Sequence, residues 1–189
     1  MAASASHLEA MAAVTAIVVS FASLYIAWRQ TAVAEKQLEA SVWPSLAYDN
    51  QNSSDDKRGV RFIVRNSGVG PARLRSIEVS HQGKPIADAP QLVSRFVPND
   101  YSGVLPPMDI TFMRGRIIPA GQELTFLEVT PKKADDPVYA RLEAERFTID
   151  GRLCFCSALD RCWTVGFHEQ EPSPVKDCTE AAGRLQYGK

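Results

Sequence analysis

Residues 59–82, GVRFIVRNSGVGPARLRSIEVSHQ, decide the fold, because apolar and polar side chains alternate on both sides of a glycine-rich turn. Successive side chains of a strand point to opposite faces, so Val60, Phe62 and Val64 should form one buried face. Ile63 should lie on the opposite face. An alternating pattern of this length predicts β-strands rather than helices.

The turn inside this stretch, NSGVGPA (66–72), is built from residues that favour tight connections. Gly68 and Gly70 can adopt the positive φ that other residues disfavour, and Pro71 fixes the exit into the next strand. Asn66 can cap the turn through its own side chain. A phosphate-binding glycine loop would need a following helix and a Lys-Ser/Thr pair, which this stretch lacks, so we predict a structural turn.

The alternation continues through residues 44–170, where five further segments have the pattern of short strands. They are SLAYD, DITFMRGRI, ELTFLEVT, RFTIDGRLCFC and CWTVGFH. Two other segments, 89–97 and 135–147, are predicted as short helices. Seven or so short strands separated by turns predict a mainly-β, Ig-like β-sandwich with one or two inserted helices.

The N-terminal part has a different character, because residues 10–28, AMAAVTAIVVSFASLYIAW, are all uncharged. As a helix they would be about 28 Å long, close to the hydrocarbon thickness of a bilayer. A cleaved signal peptide would require a basic residue before the apolar run, and neither Lys nor Arg precedes it. We therefore predict a transmembrane helix after a short tail, 1–9. Helix-forming residues 29–43 predict a juxtamembrane stalk that ends before Pro44.

Small residues recur at helical spacing within the predicted span. They are Ala12, Ala16, Ser20, Ser23 and Ala27. Such residues let a second helix approach closely in lipid, so the stripe predicts an interface with another membrane protein or with a second copy of this chain. Alanine and serine are also tolerated as filler in a marginally apolar span, and the sequence does not separate the two interpretations.

All four cysteines lie in the last quarter of the chain: Cys154, Cys156, Cys162 and Cys178. The hairpin pattern CFCSALDRCW brings Cys162 across a turn from Cys156, and Cys178 could pin the C-terminal tail, 171–189, through Cys154. We prefer the disulfides Cys156–Cys162 and Cys154–Cys178 over the swap Cys154–Cys162 with Cys156–Cys178. A four-cysteine zinc site, for which the C-x₂-C spacing is missing, a redox-active C-x-C dithiol and free thiols are the alternatives.

Four motifs follow the helix in a characteristic order: SVWPSL, FIVRNSGVGPA, IIPAGQELTF and CFCSALDRCW. In this combination the chain resembles a group of bacterial single-pass membrane proteins in which a transmembrane segment carries an Ig-like domain of uncharacterised function. The resemblance extends from about Trp28 to Phe167. It implies one anchor and one sandwich, and it supplies neither catalytic residues nor a ligand.

Two features disagree about the compartment of the domain. Disulfides form in oxidising compartments, which predicts a periplasmic domain at the bacterial inner membrane. Arg29 and Lys36 follow the apolar run and no basic residue precedes it, so the positive-inside rule predicts a cytoplasmic domain. Because Glu35 and Glu39 neutralise that signal locally, we favour the periplasmic side.

The sequence contains no convincing catalytic, metal or cofactor site. His7, His81 and His168 are isolated from one another and do not form the paired spacing of metal ligands. The formal net charge is −1, which gives no electrostatic reason to expect nucleic acid. We therefore predict no cofactor, no nucleic acid and no small-molecule substrate.

Arginines offer one candidate for partner binding. Arg61 and Arg65 share the outer face of one predicted strand, and Arg73 and Arg75 share a face of the next. If these strands are neighbours, four guanidinium groups form a patch that grips carboxylates of a partner. The alternative is a solvated face that protects a sheet edge from pairing.

Together these features predict a membrane-anchored, non-enzymatic accessory or interaction subunit. Its helix would dock in a larger membrane assembly, and its sandwich would bind a protein partner. The alternative is an envelope thiol–disulfide oxidoreductase that uses Cys154 and Cys156.

Overall fold

The computed structural model describes residues 2–53, 59–179 and 187–188. The chain divides into two units on either side of the Ser41–Val42 bond, an N-terminal helix and a β-rich domain. A long apolar helix followed by two antiparallel sheets with short helices confirms the predicted mainly-β fold class.

The N-terminal unit is one α-helix, α1, from Ala2 to Ser41. No glycine or proline interrupts the sequence before Pro44, whose ring and missing N–H end helices. The predicted span and stalk therefore form a single continuous helix. From Met11 onward its apolar side chains are exposed, and Met11–Ser41 is long and apolar enough to cross a membrane, a criterion that a signal sequence also meets.

Two antiparallel sheets form the β-rich domain. The strands are β1 Leu46–Asn52, β2 Val60–Asn66, β3 Ala72–His81, β4 Lys84–Ile86, β5 Met108–Ile110, β6 Ile117–Ile118, β7 Glu123–Val129, β8 Ile149–Cys156, β9 Cys162–Gly166 and β10 Ser173–Val175. The four-stranded sheet has the order β1-β2-β7-β5. The six-stranded sheet has the order β10-β9-β8-β3-β4, and β6 also pairs with β3.

Both predicted helices occur with shorter bounds than expected. They are α2, Ala89–Ser94, and α3, Pro137–Glu145, which continues into a 3-10 turn at Arg146–Thr148. Asp136 caps α3, since its Oδ1 accepts hydrogen bonds from two backbone amides at the start of the helix.

One cluster of buried apolar side chains connects the two sheets and forms the core. As predicted, Val60, Phe62 and Val64 belong to it, and the Phe62 and Phe126 rings pack with centroids 6.1 Å apart. Ile63 lies on the opposite face of β2, where it is buried outside this cluster. Each fully buried large side chain contributes roughly 2–3 kcal/mol to folding.

The glycine-rich turn differs from its prediction. Because β2 and β3 lie in different sheets, residues 66–72 carry the chain from one sheet to the other. Gly68 and Gly70 do not adopt positive φ. They are required because a Cβ at either position would collide with the backbone of residues 42–45. Asn66 does cap the turn: its Oδ1 accepts from the Gly68 amide at 3.0 Å, and its Nδ2 donates to two carbonyls.

The segment DITFMRGRI (109–117), predicted as one strand, is instead a crossover between the sheets. β5 ends at Ile110 in the four-stranded sheet, and β6 begins at Ile117 beside β3 in the six-stranded sheet. Between them Gly115 has a φ of 78°, and its amide donates to the Leu74 carbonyl. Positive φ favours glycine, so the residue that breaks the strand is visible in the sequence.

The C-terminal tail has two features that the sequence analysis does not predict. β10 adds an edge strand beside β9. Tyr187 is buried edge-on to Phe126, with ring centroids 5.6 Å apart, and its amide donates to the Ile77 carbonyl. The tail therefore contributes to one sheet and to the core.

Candidate functional site

The cysteines lie on the outer face of the six-stranded sheet. In β8, Leu153 and Phe155 point into the core, so the alternating Cys154 and Cys156 point outward. The β8–β9 hairpin sets Cys162 directly opposite Cys156. Strand register therefore brings three of the four sulfurs to one surface.

Both disulfides have the pairing that the sequence analysis prefers. Cys156–Cys162 joins β8 to β9, with a Cα–Cα distance of 4.0 Å. Cys154–Cys178 fixes the tail to β8, with a Cα–Cα distance of 5.8 Å. The two cysteines of the C-x-C motif belong to different disulfides, so they do not form a redox pair with each other.

The four sulfurs form a compact cluster. Each cysteine is at most 8% exposed, and the cluster is separate from the main core, with Val175 packed against it. Cys156 Sγ lies 3.9 Å from Cys178 Sγ, although these two are not bonded to each other. The sulfurs of Cys156, Cys162 and Cys178 all lie within 4.8 Å of one another. The two disulfides are therefore in contact.

A cavity of about 410 Å³ borders this cluster. Three of the cysteines form part of its wall. The charged residues in the lining are three cations and two carboxylates: Arg75, Arg114, Lys176, Asp160 and Asp177. Positive charge is therefore in excess around the cavity.

Asp160 is shared by two arginines. It lies in the turn of the β8–β9 hairpin, with a φ of 58°. The Arg73 guanidinium donates to its carboxylate and, at 2.9 Å, to the Ser157 carbonyl. Arg75 Nη2 lies 3.6 Å from the same carboxylate oxygen. One carboxylate faces two guanidinium groups, so this group of three keeps a net positive charge.

Asp177, the second carboxylate of the lining, is bonded to its own chain segment. The Thr179 hydroxyl donates to it, and so does the Thr179 amide, at 2.9 Å. These two hydrogen bonds hold the pKa of Asp177 below its usual range. The carboxylate is therefore ionised at neutral pH.

The predicted patch of four arginines does not form. Arg61 and Arg65 lie on β2 in the four-stranded sheet, whereas Arg73 and Arg75 lie on β3 in the six-stranded sheet. The prediction assumed that consecutive strands are neighbours. The turn between β2 and β3 crosses from sheet to sheet instead, which separates the two pairs.

The arginines of the four-stranded sheet have partners within that sheet. Arg65 Nη2 lies 3.0 Å from a carboxylate oxygen of Glu123 on β7. Arg61 is opposite Glu128 in the strand register, and its Nη2 contacts the side-chain oxygen of Gln51 on β1 at 3.4 Å. These contacts are cross-strand pairs of the kind that stabilise a sheet.

The crossover supplies cations that the sequence analysis did not assign to a site. Arg114 lines the cavity, whereas Arg116 is exposed and its Nε donates to the Phe112 carbonyl at 3.2 Å. Backbone hydrogen bonds hold this segment against β3, since the Leu74 amide donates to the Arg116 carbonyl at 2.9 Å. The sequence analysis predicted one strand over residues 109–117 and assigned these two arginines no role, and the crossover brings Arg114 to the cavity.

We call the resulting surface the cationic face. It consists of four cations with two exposed apolar side chains among them: Arg73, Arg75, Arg114, Lys176, Ile117 and Leu159. Ile117 is 60% exposed and lies opposite Arg73 in the β3–β6 pairing. Leu159 is 43% exposed and precedes Asp160.

The small residues of α1 form a stripe on one side of the helix. At about 100° per residue, Ala12, Ala16, Ser20, Ser23 and Ala27 lie within an arc of about 80°. The Ser20 hydroxyl donates to the Ala16 carbonyl at 2.7 Å, so it needs no acceptor outside the helix. Larger apolar neighbours border a shallow groove with Ala16 and Ser20.

The two histidines whose side chains the structure describes do not share a site. His81 is buried, its ring packs against Phe96, and its Nε2 lies 3.1 Å from Thr148 Oγ1. Burial lowers the pKa of His81, which keeps the ring neutral at pH 7. His168 is exposed and lines a second cavity of about 510 Å³. His7 lies outside the residues whose side chains the structure describes.

Comparison with curated proteins finds no match. Residues 7–155 match a protein family that is described as a domain of unknown function, DUF8453. The matched residues include most of α1 and the domain up to Phe155, so Cys156, Cys162 and Cys178 lie beyond them. Because the match extends over more than half of its length, the chain belongs to the DUF8453 family.

Proposed function

We propose that this chain is a membrane-anchored, non-enzymatic accessory subunit that binds a carboxylate-rich segment of a protein partner through the cationic face. Its helix docks in a larger membrane assembly. The observation that carries the proposal is the excess of guanidinium and ammonium groups around the cavity, mixed with exposed apolar side chains.

The chemistry of the cationic face suits carboxylates. A guanidinium group binds a carboxylate through two parallel hydrogen bonds, and arginine is enriched in protein interfaces. Arg75 and Arg114 line the same cavity, so a single acidic side chain of the partner can approach both. Ile117 and Leu159 supply apolar contact area beside these charges.

The helix supports the second half of the proposal. The groove beside Ala16 and Ser20 has the small residues that allow close packing of helices in lipid. The occupant is another membrane protein or a second copy of this chain. In both cases the helix is an anchor and an interface.

The two disulfides support a periplasmic domain at the bacterial inner membrane, because such bonds persist in oxidising compartments. The cytoplasmic orientation is the alternative, and it rests on Arg29 and Lys36. The cationic face is available to a partner in either orientation.

The cavity that carries the proposal has no free thiol in its wall. The cysteines in its wall are bonded in disulfides, and its described lining residues include no histidine. The same surface is well suited to binding.

Charge reversal tests the proposal. Full-length protein carrying Arg75→Glu with Arg114→Glu should lose its co-purifying membrane partner by more than about tenfold, because like charges across an interface cost several kcal/mol. The matched control is Arg61→Glu with Arg65→Glu on the four-stranded sheet, which changes net charge equally and should retain the partner. Crosslinking in intact membranes, followed by quantitative mass spectrometry, measures both.

Two results would contradict the proposal. Equal loss in both variants would show that net charge, rather than this surface, governs association. Retention in both would show that the partner binds elsewhere. Thermal unfolding of each variant checks that the domain is still folded.

A further inference from the structure

We propose that the four cysteines, when reduced, bind one thiophilic divalent cation such as Zn²⁺ as a tetrathiolate site. Metal binding by these cysteines does not depend on the proposed binding of a protein partner. It assigns to Cys154, Cys156, Cys162 and Cys178 a second state in addition to the disulfides.

The spacing of the sulfurs is the first argument. Zn²⁺ binds thiolates at about 2.3 Å in a tetrahedron, which sets neighbouring sulfurs about 3.8 Å apart. Cys156 Sγ and Cys178 Sγ, which are not bonded to each other, are already 3.9 Å apart. Cys162 Sγ lies within 4.8 Å of both, and Cys154 is bonded to Cys178. Opening the two S–S bonds frees all four sulfurs: three already lie within 4.8 Å of one another, and Cys154 Sγ, which is outside that group, must turn from Cys178 towards them.

The sheet holds the ligands in place without the usual sequence motif. Two ligands come from the same face of β8, a third from the directly opposite position of β9, and the fourth from the tail. In zinc knuckles a C-x₂-C turn brings two thiolates together. Here the strand register does so, which is why a spacing rule based on knuckles does not detect the site.

The surrounding charge is the second, independent argument. Four thiolates around one divalent cation carry a net charge of −2, which requires compensation where water is scarce. Arg75, Arg114 and Lys176 line the cavity that the cysteines border, and Arg73 is opposite Cys156 in the register. Asp160 and Asp177 also line the cavity, so the four cations exceed the carboxylates by two. Disulfides are neutral and need no such neighbours. The cations therefore suit the metal-bound state of this cluster.

Conversion of the two disulfides into the metal site consists of a reduction and an exchange of thiol protons for the cation. A dithiol reductant delivers two electrons and two protons to each disulfide, so two equivalents convert the cluster to four thiols and are themselves oxidised. Binding of the cation forms four metal–sulfur bonds and releases the four thiol protons to solvent. In a reducing compartment the metal-bound state is expected, and in an oxidising one the disulfides.

Cobalt substitution tests the site directly. Full-length protein in mild detergent is reduced with a dithiol under anaerobic conditions, freed of reductant and titrated with Co²⁺. We expect saturation at one Co²⁺ per chain, with a thiolate-to-cobalt charge-transfer band and the intense visible bands of tetrahedral coordination. Zn²⁺ should displace the cobalt and raise the Tm of the reduced protein, while the Tm of the oxidised protein should not change.

Single substitutions identify the ligands. Cys162→Ser and Cys178→Ser should each weaken Co²⁺ binding by more than about tenfold, whereas His168→Ala, an exposed donor at the other cavity, should leave it unchanged. Absence of the charge-transfer band would overturn the proposal, and so would a band that survives both cysteine substitutions. Circular dichroism tests whether the reduced protein remains folded. A reduced chain that lacks β-structure and does not regain it with Zn²⁺ also overturns the proposal.

Discussion

The outer faces of the two sheets make different use of one sequence pattern. Arg61 and Arg65 on β2, and Arg73 and Arg75 on β3, arise from the same alternation within residues 59–82. On the four-stranded sheet the arginines meet acidic or amide side chains of neighbouring strands. On the six-stranded sheet two arginines share one carboxylate and lie next to further cations. Alternation determines the face of a side chain, but sheet membership determines which charges meet.

The largest expected effect concerns the covalent links, which only the six-stranded side of the described structure has. Cys154→Ala with Cys178→Ala removes a link between residues 24 apart, and Cys156→Ala with Cys162→Ala removes one between residues 6 apart. Because loop-closure entropy grows with loop length, we expect the free energy of unfolding to fall by roughly 3.5 and 2 kcal/mol, respectively. Urea denaturation of the full-length protein in detergent measures both losses.

The four-stranded sheet provides the control for this experiment. Arg65 and Glu123 form its ion pair, and their side chains are 45% and 38% exposed. Replacing both with alanine should cost less than about 1 kcal/mol, because solvent screens such pairs. A larger loss from the shorter disulfide loop, or a control loss as large as either disulfide, would show that the links do not act through the unfolded chain.

A smaller loss is expected at the connection that separates the two faces. Asn66 is fully buried, and its side chain makes four hydrogen bonds with backbone groups: Ser45 N, Gly68 N, Gly70 O and Ile118 O. Asn66→Ala leaves these groups without that partner, so we expect a loss of about 2 kcal/mol in the free energy of unfolding. The exposed neighbour Ser67→Ala should change it by less than about 0.5 kcal/mol. Equal losses in Asn66→Ala and Ser67→Ala would mean that backbone hydrogen bonds, and not the Asn66 side chain, stabilise the turn.

Local pattern predicted much of this fold. The strands around Val60 and Leu153, the cap by Asn66 and the preferred cysteine pairing follow from alternation and turn chemistry, which act over a few residues. Sheet membership depends on which strands pair across the whole domain. No local signal shows that β2 and β3 belong to different sheets. For the same reason, the local pattern of segment 109–117 predicted a strand where the structure has a crossover.

The cationic face could be predicted only in part for the same reason. Arg73 and Arg75 were recognisable as a pair on one strand. Arg114 and Lys176 join them from a crossover and a tail, at distances along the chain that no periodicity links. Tyr187 was missed because a single aromatic residue near a chain end has no repeating pattern around it. Its burial is a product of tertiary packing.

The last pair of variants has the smallest expected effect. It compares the two outer faces most directly, because each variant removes one negative charge from one face. Asp160→Asn removes the carboxylate that Arg73 and Arg75 share, and asparagine tolerates the positive φ of this position. With this negative charge removed from beside both guanidinium groups, affinity for an acidic partner should rise roughly 1.4- to 5-fold, the range set by about 0.2–1 kcal/mol for an exposed ion pair. Glu123→Gln releases Arg65 by the same chemistry and should leave the affinity unchanged.

Ionic strength distinguishes an electrostatic effect of Asp160→Asn from other causes. Exposed charges are screened at high ionic strength, so the gain of Asp160→Asn should disappear there if it is electrostatic. Binding of the isolated partner, measured at low and high salt, gives the result. If Glu123→Gln raises the affinity as much as Asp160→Asn, the two outer faces are equivalent for the partner. If only Asp160→Asn raises the affinity, the partner binds to the outer face of the six-stranded sheet, because the two substitutions change net charge identically.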